Sequence, residues 1–201
     1  MTSVCLHYKY IGPVLMLGIL CGCSLGKSYR EIDPEGAEAD MRKNNGYYAL
    51  KSVTPGKAKI VFRSEGMPYD VNFSTSTSSV PCQDFKIIGD VKDSGHGIIY
   101  PWIANLTGSA SRNRPFIANE APPGQSIQIR GYGAWIGDVN NGFTRGKCGP
   151  LVSRFTPVAD HAYLVQFRFV DGGCKQVISD ASNPDSPIPL PVEHIQSCSK
   201  P

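Results

Sequence analysis

The stretch HAYLVQFRF, residues 161–169, constrains the fold more than any other part of the chain. Its large apolar residues recur at every second position, and alternate residues of a β-strand point to the same face of the sheet. These residues are Tyr163, Val165, Phe167 and Phe169. The pattern predicts a long strand with one buried face, and the residues Asp-Gly-Gly at 171–173 predict a turn after it.

Shorter segments of the same character recur about every ten residues between turns that contain glycine or proline. The predicted strands lie at 58–63, 70–74, 85–91, 98–103 (an edge strand, because it contains Pro101), 114–120, around Ile127 and Ile129, and in CKQVIS at 174–179. Asn140-Asn141-Gly142 is typical of a hairpin turn. The fold expected is all-β: an antiparallel β-sandwich, or a small barrel, of about seven strands.

An apolar run from Tyr10 to Gly22 precedes all of these strands. A membrane-spanning helix needs about 20 apolar residues, so the run is too short to cross a bilayer. The apolar core of a secretion signal has about 7–15 residues, which fits. His7 and Lys9 stand before the run without any acid. The segment therefore predicts an export signal.

The run ends in Leu20-Cys21-Gly22-Cys23, which resembles the lipobox of bacterial lipoproteins. The resemblance implies that Leu20 is the recognition residue, that signal peptidase cuts after Gly22, and that Cys23 carries a covalent lipid. Cys21 departs from the commonest pattern, which has alanine or serine there. In Gram-negative lipoproteins an aspartate after the lipidated cysteine favours the inner membrane, so Ser24 favours the outer membrane. The alternatives are a plain secretion signal, an uncleaved short anchor, and a metal site formed by the two cysteines.

Four further cysteines, namely Cys82, Cys148, Cys174 and Cys198, lie beyond the signal. An even number in an exported chain predicts disulfides, and four cysteines allow three pairings. We prefer Cys148–Cys174, which would tie neighbouring strands around Phe155 and Val165, together with Cys82–Cys198. A four-cysteine zinc site is the rival reading, but the Cys-x2-Cys spacing typical of such sites is missing.

These features divide the chain into four parts. Residues 1–22 are the cleaved signal, 23–56 a flexible lipidated tether, 57–182 the β-sandwich domain, and 183–201 a proline-rich tail that Cys198 would fix to the domain. Cleavage removes one of the 20 basic side chains and none of the 17 acidic ones, which leaves a net charge near +2. That charge does not indicate nucleic-acid binding, which needs a clustered basic face.

Few residues suggest catalysis. His161 follows Asp160 at the start of the longest predicted strand, and His96 stands two residues after Ser94. A nucleophile and its base must be held in fixed geometry, which a short loop motif does not ensure. Residues 138–142 resemble a calcium loop but lack the acid at its far end, so a hairpin turn is preferred. We predict no catalytic residue, no metal and no cofactor other than the lipid.

Several aromatic residues stand in glycine-rich surroundings and are candidates for a recognition patch. They are Tyr132, Trp135 and Phe143, with Tyr100 and Trp102 elsewhere in the chain. Exposed aromatic side chains on rigid loops bind proteins or glycans. The alternative, which we prefer, is that Trp135 and Trp102 close the ends of the sandwich core.

The domain itself is similar to uncharacterised β-sandwich domains of proteobacterial lipoproteins. The segments that carry the likeness are Pro122-Pro123-Gly124, Phe155-Thr156-Pro157 and His161-Ala162-Tyr163. The predicted function is a non-catalytic, lipid-anchored protein of the Gram-negative outer membrane. It would face the periplasm and serve as a structural or interaction module for an unidentified envelope protein. The alternatives are a glycan- or ligand-binding module that uses the loop aromatics, and an envelope hydrolase that uses His96 or His161.

Overall fold

The structure is a computed structural model, and it describes residues 46–67, 69–93, 114–139 and 142–199. Within these ranges the chain forms one short helix, ten strands and a final 3-10 turn. They are α1 Tyr47–Lys51, β1 Ala58–Glu65, β2 Asp70–Ser76, β3 Lys86–Lys92, β4 Phe116–Ala121, β5 Ile127–Val139, β6 Gly142–Phe155, β7 Ala162–Val170, β8 Gly173–Asp180, β9 Ile188–Pro189, β10 Glu193–His194 and the turn Gln196–Ser199. The strand predicted at 98–103 lies outside the described residues.

The strands form two five-stranded sheets that face each other, so the predicted β-sandwich is confirmed. The first sheet has the order β4-β1-β7-β8-β9, and the second has the order β10-β6-β5-β2-β3. The pairing differs from the expected antiparallel pattern at one place, because β1 and β7 run parallel. Parallel neighbours need a long connection between them, and here most of the second sheet separates β1 from β7 along the chain.

The core consists of the inward-facing residues of both sheets, as the alternation predicts. Tyr163, Val165 and Phe167 of β7 are buried in it. Phe62 of β1 and Phe73 of β2 meet with ring centroids 5.2 Å apart, which joins the first sheet to the second. Burial of apolar surface of this kind is the main source of the fold's stability.

Two glycines of β5 make room for aromatic rings of the opposite sheet. A Cβ added at Gly131 would lie 2.7 Å from Cδ2 of Phe167 and 2.6 Å from Oε1 of Gln176. A Cβ at Gly133 would lie 2.7 Å from Cζ of Phe169. Real Cβ atoms do not approach this closely, so glycine at both positions allows the rings to pack directly on the strand backbone.

Part of the segment assigned to the tether is packed onto the domain. Leu50 of α1 is buried in a second apolar cluster on the outer face of the first sheet, with Val61, Ala162, Leu164 and Ala181. Folded structure thus extends to Gly46, eleven residues before the predicted domain boundary at 57. The helix has only five residues, which is too short to give a periodic apolar pattern.

The proline-rich tail adds a two-residue strand to each sheet. Ile188 and Pro189 pair with the end of β8, and Glu193 and His194 pair with Arg154 and Ser153 of β6. The tail therefore passes from an edge of the first sheet to an edge of the second. The backbone N–H of Ile195 continues the second pairing by donating to the carbonyl of Val152.

Two disulfides join the same pairs of cysteines that the sequence predicts. Cys82 pairs with Cys198, with Cα atoms 5.4 Å apart, and Cys148 pairs with Cys174, with Cα atoms 6.0 Å apart. The expected role of the second bridge is corrected. It joins β6 of the second sheet to β8 of the first, rather than neighbouring strands of one sheet, because the chain crosses between the sheets after Phe155.

The hairpin formed by β5 and β6 is longer than its neighbours. Strand β2 pairs with β5 only as far as Ala134, whereas β5 and β6 remain paired from Trp135↔Gly146 to Val139↔Gly142. These last pairs form a two-stranded extension beyond the edge of β2. The predicted turn agrees with this pairing at Gly142, although residues 140 and 141 lie outside the described ranges.

Candidate functional site

Two of the three aromatic residues predicted to form a recognition patch, Tyr132 and Trp135, lie on opposite sides of β5. Trp135 stacks on Tyr69, with ring centroids 4.7 Å apart and planes 7° from parallel, and it meets Phe169 edge to face at 5.8 Å. It lies on the same side of β5 as the core-facing Gly131 and Gly133, so alternation turns Tyr132 to the opposite, outer side. The arrangement of Trp135 fits the alternative that it closes one end of the core.

The side chain of Phe143 lies outside the described residues, as do Tyr100 and Trp102. His96 and Ser94, which carried the weaker of the two histidine hypotheses, also lie outside them.

His161 is paired with a carboxylate that joins two strands. Its Nδ1 lies 2.7 Å from Oδ2 of Asp180, and its ring lies over that of Tyr163 with centroids 6.2 Å apart. Asp180 also accepts a hydrogen bond of 2.9 Å from the backbone N–H of Ser182. Among the described residues, neither a serine nor a cysteine is seen to bond to His161. The pair therefore connects the start of β7 to the end of β8, where the chain leaves the sheet.

The Asp180 carboxylate gives a pH prediction. Burial alone would raise its pKa, but hydrogen bonds from Ser182 and His161 outweigh burial and hold the pKa below the ordinary 3.8. A carboxylate with a lowered pKa stabilises the fold above its unfolded-state pKa, and that stability is lost as the pH falls through the folded-state value. We expect Asp180→Asn to lose less stability than the wild type between pH 6 and pH 3. Urea unfolding at both pH values measures this, and equal losses in the two proteins would contradict it.

A second histidine contact was not predicted from the sequence. Nδ1 of His194 lies 3.2 Å from Oγ of Ser153, and this hydroxyl also accepts a hydrogen bond of 3.0 Å from Nε2 of Gln176. Ser153 is completely buried. A nucleophilic serine must be reachable by its substrate, so the arrangement fits a polar link between β6, β8 and β10 better than a catalytic pair.

Several charged side chains come together beside a cavity on the outer face of the first sheet, and no pattern in the sequence predicts this grouping. A groove of about 400 Å³ opens there. Its floor is formed by residues of β1, β7 and β8, and its walls by α1 and the tail. The lining residues are Tyr47, Leu50, Arg63, Leu164, Gln166, Arg168, Val177, Ser179, Pro184, Pro187 and Pro189.

The carboxylate of Glu65 lies near two arginine side chains, Arg63 and Arg168, on the floor of this groove. Oε2 of Glu65 lies 3.0 Å from Nε of Arg168 and 3.8 Å from Nη2 of Arg63. Oε2 of Glu65 also accepts a hydrogen bond of 3.0 Å from Nε2 of Gln166. Oε1 of Gln166 in turn accepts a hydrogen bond of 2.9 Å from Nη2 of Arg168. Oε2 of Glu65 is thus shared among Arg168, Gln166 and Arg63, and its distance to Arg63 is beyond a normal hydrogen bond.

The environment of Arg63 disfavours its charge. Burial lowers the pKa of the Arg63 guanidinium, the nearby Glu65 and Asp93 act against this, and the like charge of Arg168 lowers it further. Its Nε, like that of Arg168, is buried and has no hydrogen-bond partner of good geometry within the described part of the chain. What distinguishes Arg63 is its longer distance to Glu65, 3.8 Å against 3.0 Å for Arg168.

The parallel pairing of β1 and β7 brings these side chains together. Its register sets Arg63 opposite Gln166 and Glu65 opposite Arg168, and alternation turns all four away from the core. The two walls are joined where the hydroxyl of Tyr47 donates a hydrogen bond of 2.7 Å to Asp185 in the tail. The groove thus depends on both ends of the described chain.

Comparison with known proteins adds no family assignment. No protein-family model matches the chain, and no curated protein matches it. The described ranges contain no helix that combines the length and apolar character needed to cross a membrane. Nor do they contain a group of three or more histidine, cysteine, aspartate or glutamate side chains placed to hold a metal ion.

Proposed function

We propose that the protein is a lipid-anchored lipoprotein of the Gram-negative outer membrane whose β-sandwich is a non-catalytic interaction module. The observation that carries the proposal is the sequence Leu20-Cys21-Gly22-Cys23 at the end of a short apolar run. Cys23 is the lipid carrier. An unidentified envelope protein on the periplasmic side is the proposed partner.

The two disulfides support an extracytoplasmic location. Disulfides form and persist in oxidising compartments and are rare in the reducing cytosol. Cys82–Cys198 and Cys148–Cys174 together use all four cysteines that follow Cys23. The proposal thus gives every cysteine of the mature chain a role, either in the anchor or in a bridge.

The length of chain between anchor and domain fits a tethered module. The 23 residues from Cys23 to Gly46 span at most about 80 Å when fully extended. The domain is therefore confined close to the membrane but has room to reach a partner. Two or more acyl chains are needed to hold a protein stably on a bilayer, and the lipobox chemistry supplies them.

One end of the sandwich supports the interaction role. Met67 is exposed there, two residues before Tyr69, which stacks half-buried on Trp135. Exposed apolar side chains that cluster with aromatic rings are typical of protein-interaction surfaces. This end is the proposed contact surface for the envelope partner.

The test is the intact mass of the protein from the membrane fraction of an expressing bacterium, with and without reductant. We expect a chain that begins at Cys23, carries added acyl mass, and gains four protons on reduction. Cys23→Ser should abolish the acyl mass and membrane association. Cys21→Ser is the matched control, because serine is common at that lipobox position, and it should be lipidated normally.

Two results would contradict the proposal. The first is an unmodified chain that keeps residues 1–22, and the second is an equal loss of lipid in the Cys21→Ser and Cys23→Ser variants. Four free thiols in the non-reduced protein would also argue against an oxidising compartment.

A further inference from the structure

We propose that the groove on the outer face of the first sheet binds the C-terminal residue of a peptide, with Arg63 and Arg168 holding its carboxylate. The inference depends on the folded domain alone and holds whether or not Cys23 carries a lipid. It assigns a ligand class to a surface that the sequence did not predict.

The charges of the groove call for an additional anion. Two guanidinium groups on its floor both pair with the carboxylate of Glu65, and Asp93 adds a further negative charge near Arg63. Arg63 is the less well paired of the two, at 3.8 Å, whereas arginine and a carboxylate at optimal geometry form two parallel hydrogen bonds. A ligand carboxylate that approaches Arg63 would complete this pairing without displacing any hydrogen bond within the described residues.

The rest of the lining matches the other parts of a C-terminal residue. Ser179 offers a hydroxyl on the floor, and Gln166 offers the second N–H of an amide that already bonds to Glu65 and Arg168; both residues are buried. They are suited to the peptide group that precedes the carboxylate. Leu164, Val177 and three prolines supply apolar walls for a side chain. A volume of about 400 Å³ lies within the range of about 300–1,000 Å³ of small-ligand sites.

The contrast with the neighbouring part of the same face argues that the groove is more than an accident of packing. Where α1 covers the sheet, the contact is made by small and aliphatic residues, Val61, Ala162 and Leu164 among them. The adjoining part bears Arg63, Gln166 and Arg168 and lies open between α1 and the tail. Partly buried ion pairs are a poor source of stability, so this polar floor is better explained by binding.

The test uses the purified full-length protein and titration calorimetry at low ionic strength. The probe is N-acetyl-Ala-Leu with a free carboxylate, and the comparison probes are its C-terminal amide and hexanoate. The amide lacks the charge, whereas hexanoate has the charge but no peptide group. We expect both to bind roughly tenfold or more weakly than the free acid, because each lacks a charged or polar contact.

Three variants separate binding from structural roles. Arg63→Gln should weaken binding of the free acid roughly tenfold, while Glu65→Gln should strengthen it because a competing carboxylate is removed. Arg154→Gln is the matched control. Arg154 is 22% exposed and pairs with Glu193 on the other sheet, much as Arg63 is 21% exposed and pairs with Glu65, and its loss should leave binding unchanged.

Several outcomes would overturn the inference. They are equal affinity for acid and amide, equal affinity for the peptide and hexanoate, a loss in Arg154→Gln as large as in Arg63→Gln, or no binding to the wild type at millimolar probe. If Arg63→Gln does not fold, weaker binding by a folded Glu65→Gln variant would overturn it instead. Because no readout involves the membrane, failure here leaves the lipoprotein proposal intact.

Discussion

The double variant Cys82→Ser, Cys198→Ser is expected to lose about 5 kcal/mol of unfolding free energy relative to the oxidised wild type. The bridge joins residues 116 positions apart, and a cross-link over so long a loop strongly restricts the unfolded chain. Small domains have total stabilities of only about 5–15 kcal/mol. The variant is therefore expected to be close to the limit of folding at physiological temperature.

Urea unfolding of the purified proteins measures the effect, and the second bridge is its control. Cys148 and Cys174 are 26 positions apart, so the same model gives a loss of about 3.5 kcal/mol for their double serine variant. Removing the bridge that closes the long loop should therefore lower the unfolding free energy more than removing the bridge that closes the short loop. The reverse order would mean that the Cys148–Cys174 bridge acts mainly in the folded state, where it joins the two sheets.

Ile129→Ala is expected to cost about 2–5 kcal/mol, because it leaves a cavity between the two sheets. Ile129 of β5 is completely buried in the cluster that contains Phe73 and Phe167. The matched control is Ile87→Ala in β3 of the same sheet. Ile87 is 71% exposed, so its truncation should change the unfolding free energy by less than about 0.5 kcal/mol.

The two alanine variants remove the same atoms from strands of one sheet, so their difference isolates burial. The measurement is the unfolding free energy from urea titrations, with the denaturant slope checked for constancy. Similar losses in both variants would place Ile87 in a buried environment and contradict the assignment of β3 as a strand with an exposed face.

The local parts of the fold could be predicted from the sequence, and the non-local parts could not. Alternation in 161–169 predicts β7 to within one residue, because the pattern reflects a property of the strand itself. The parallel pairing of β1 with β7 depends instead on how distant segments meet. The two-residue strands at 188–189 and 193–194 are too short to show a periodic pattern, so the sequence predicts only a proline-rich tail there.

The candidate sites differ in the same way. Tyr132 and Trp135 are three positions apart, and side chains at that spacing point to opposite faces of a strand. The spacing alone therefore argues against a single patch that contains both. The groove joins residues from β1, β7, β8, α1 and the tail. Its one local signal is that Arg63, Glu65, Gln166 and Arg168 all stand on the polar side of their strands, which indicates a face but not a cavity.

The two disulfides are nested, since Cys82–Cys198 encloses Cys148–Cys174 along the chain. When the chain is exported N-terminus first, Cys82 is the first of the four bridged cysteines to appear and Cys148 the second, so oxidation in order of appearance would join the wrong partners. For native pairing, Cys82 must stay reduced until Cys198, near the end of the chain, is available. Otherwise a wrong bridge must form first and be exchanged by thiol attack. Maturation of this protein therefore depends either on late oxidation of Cys82 or on the cell's capacity to shuffle disulfides.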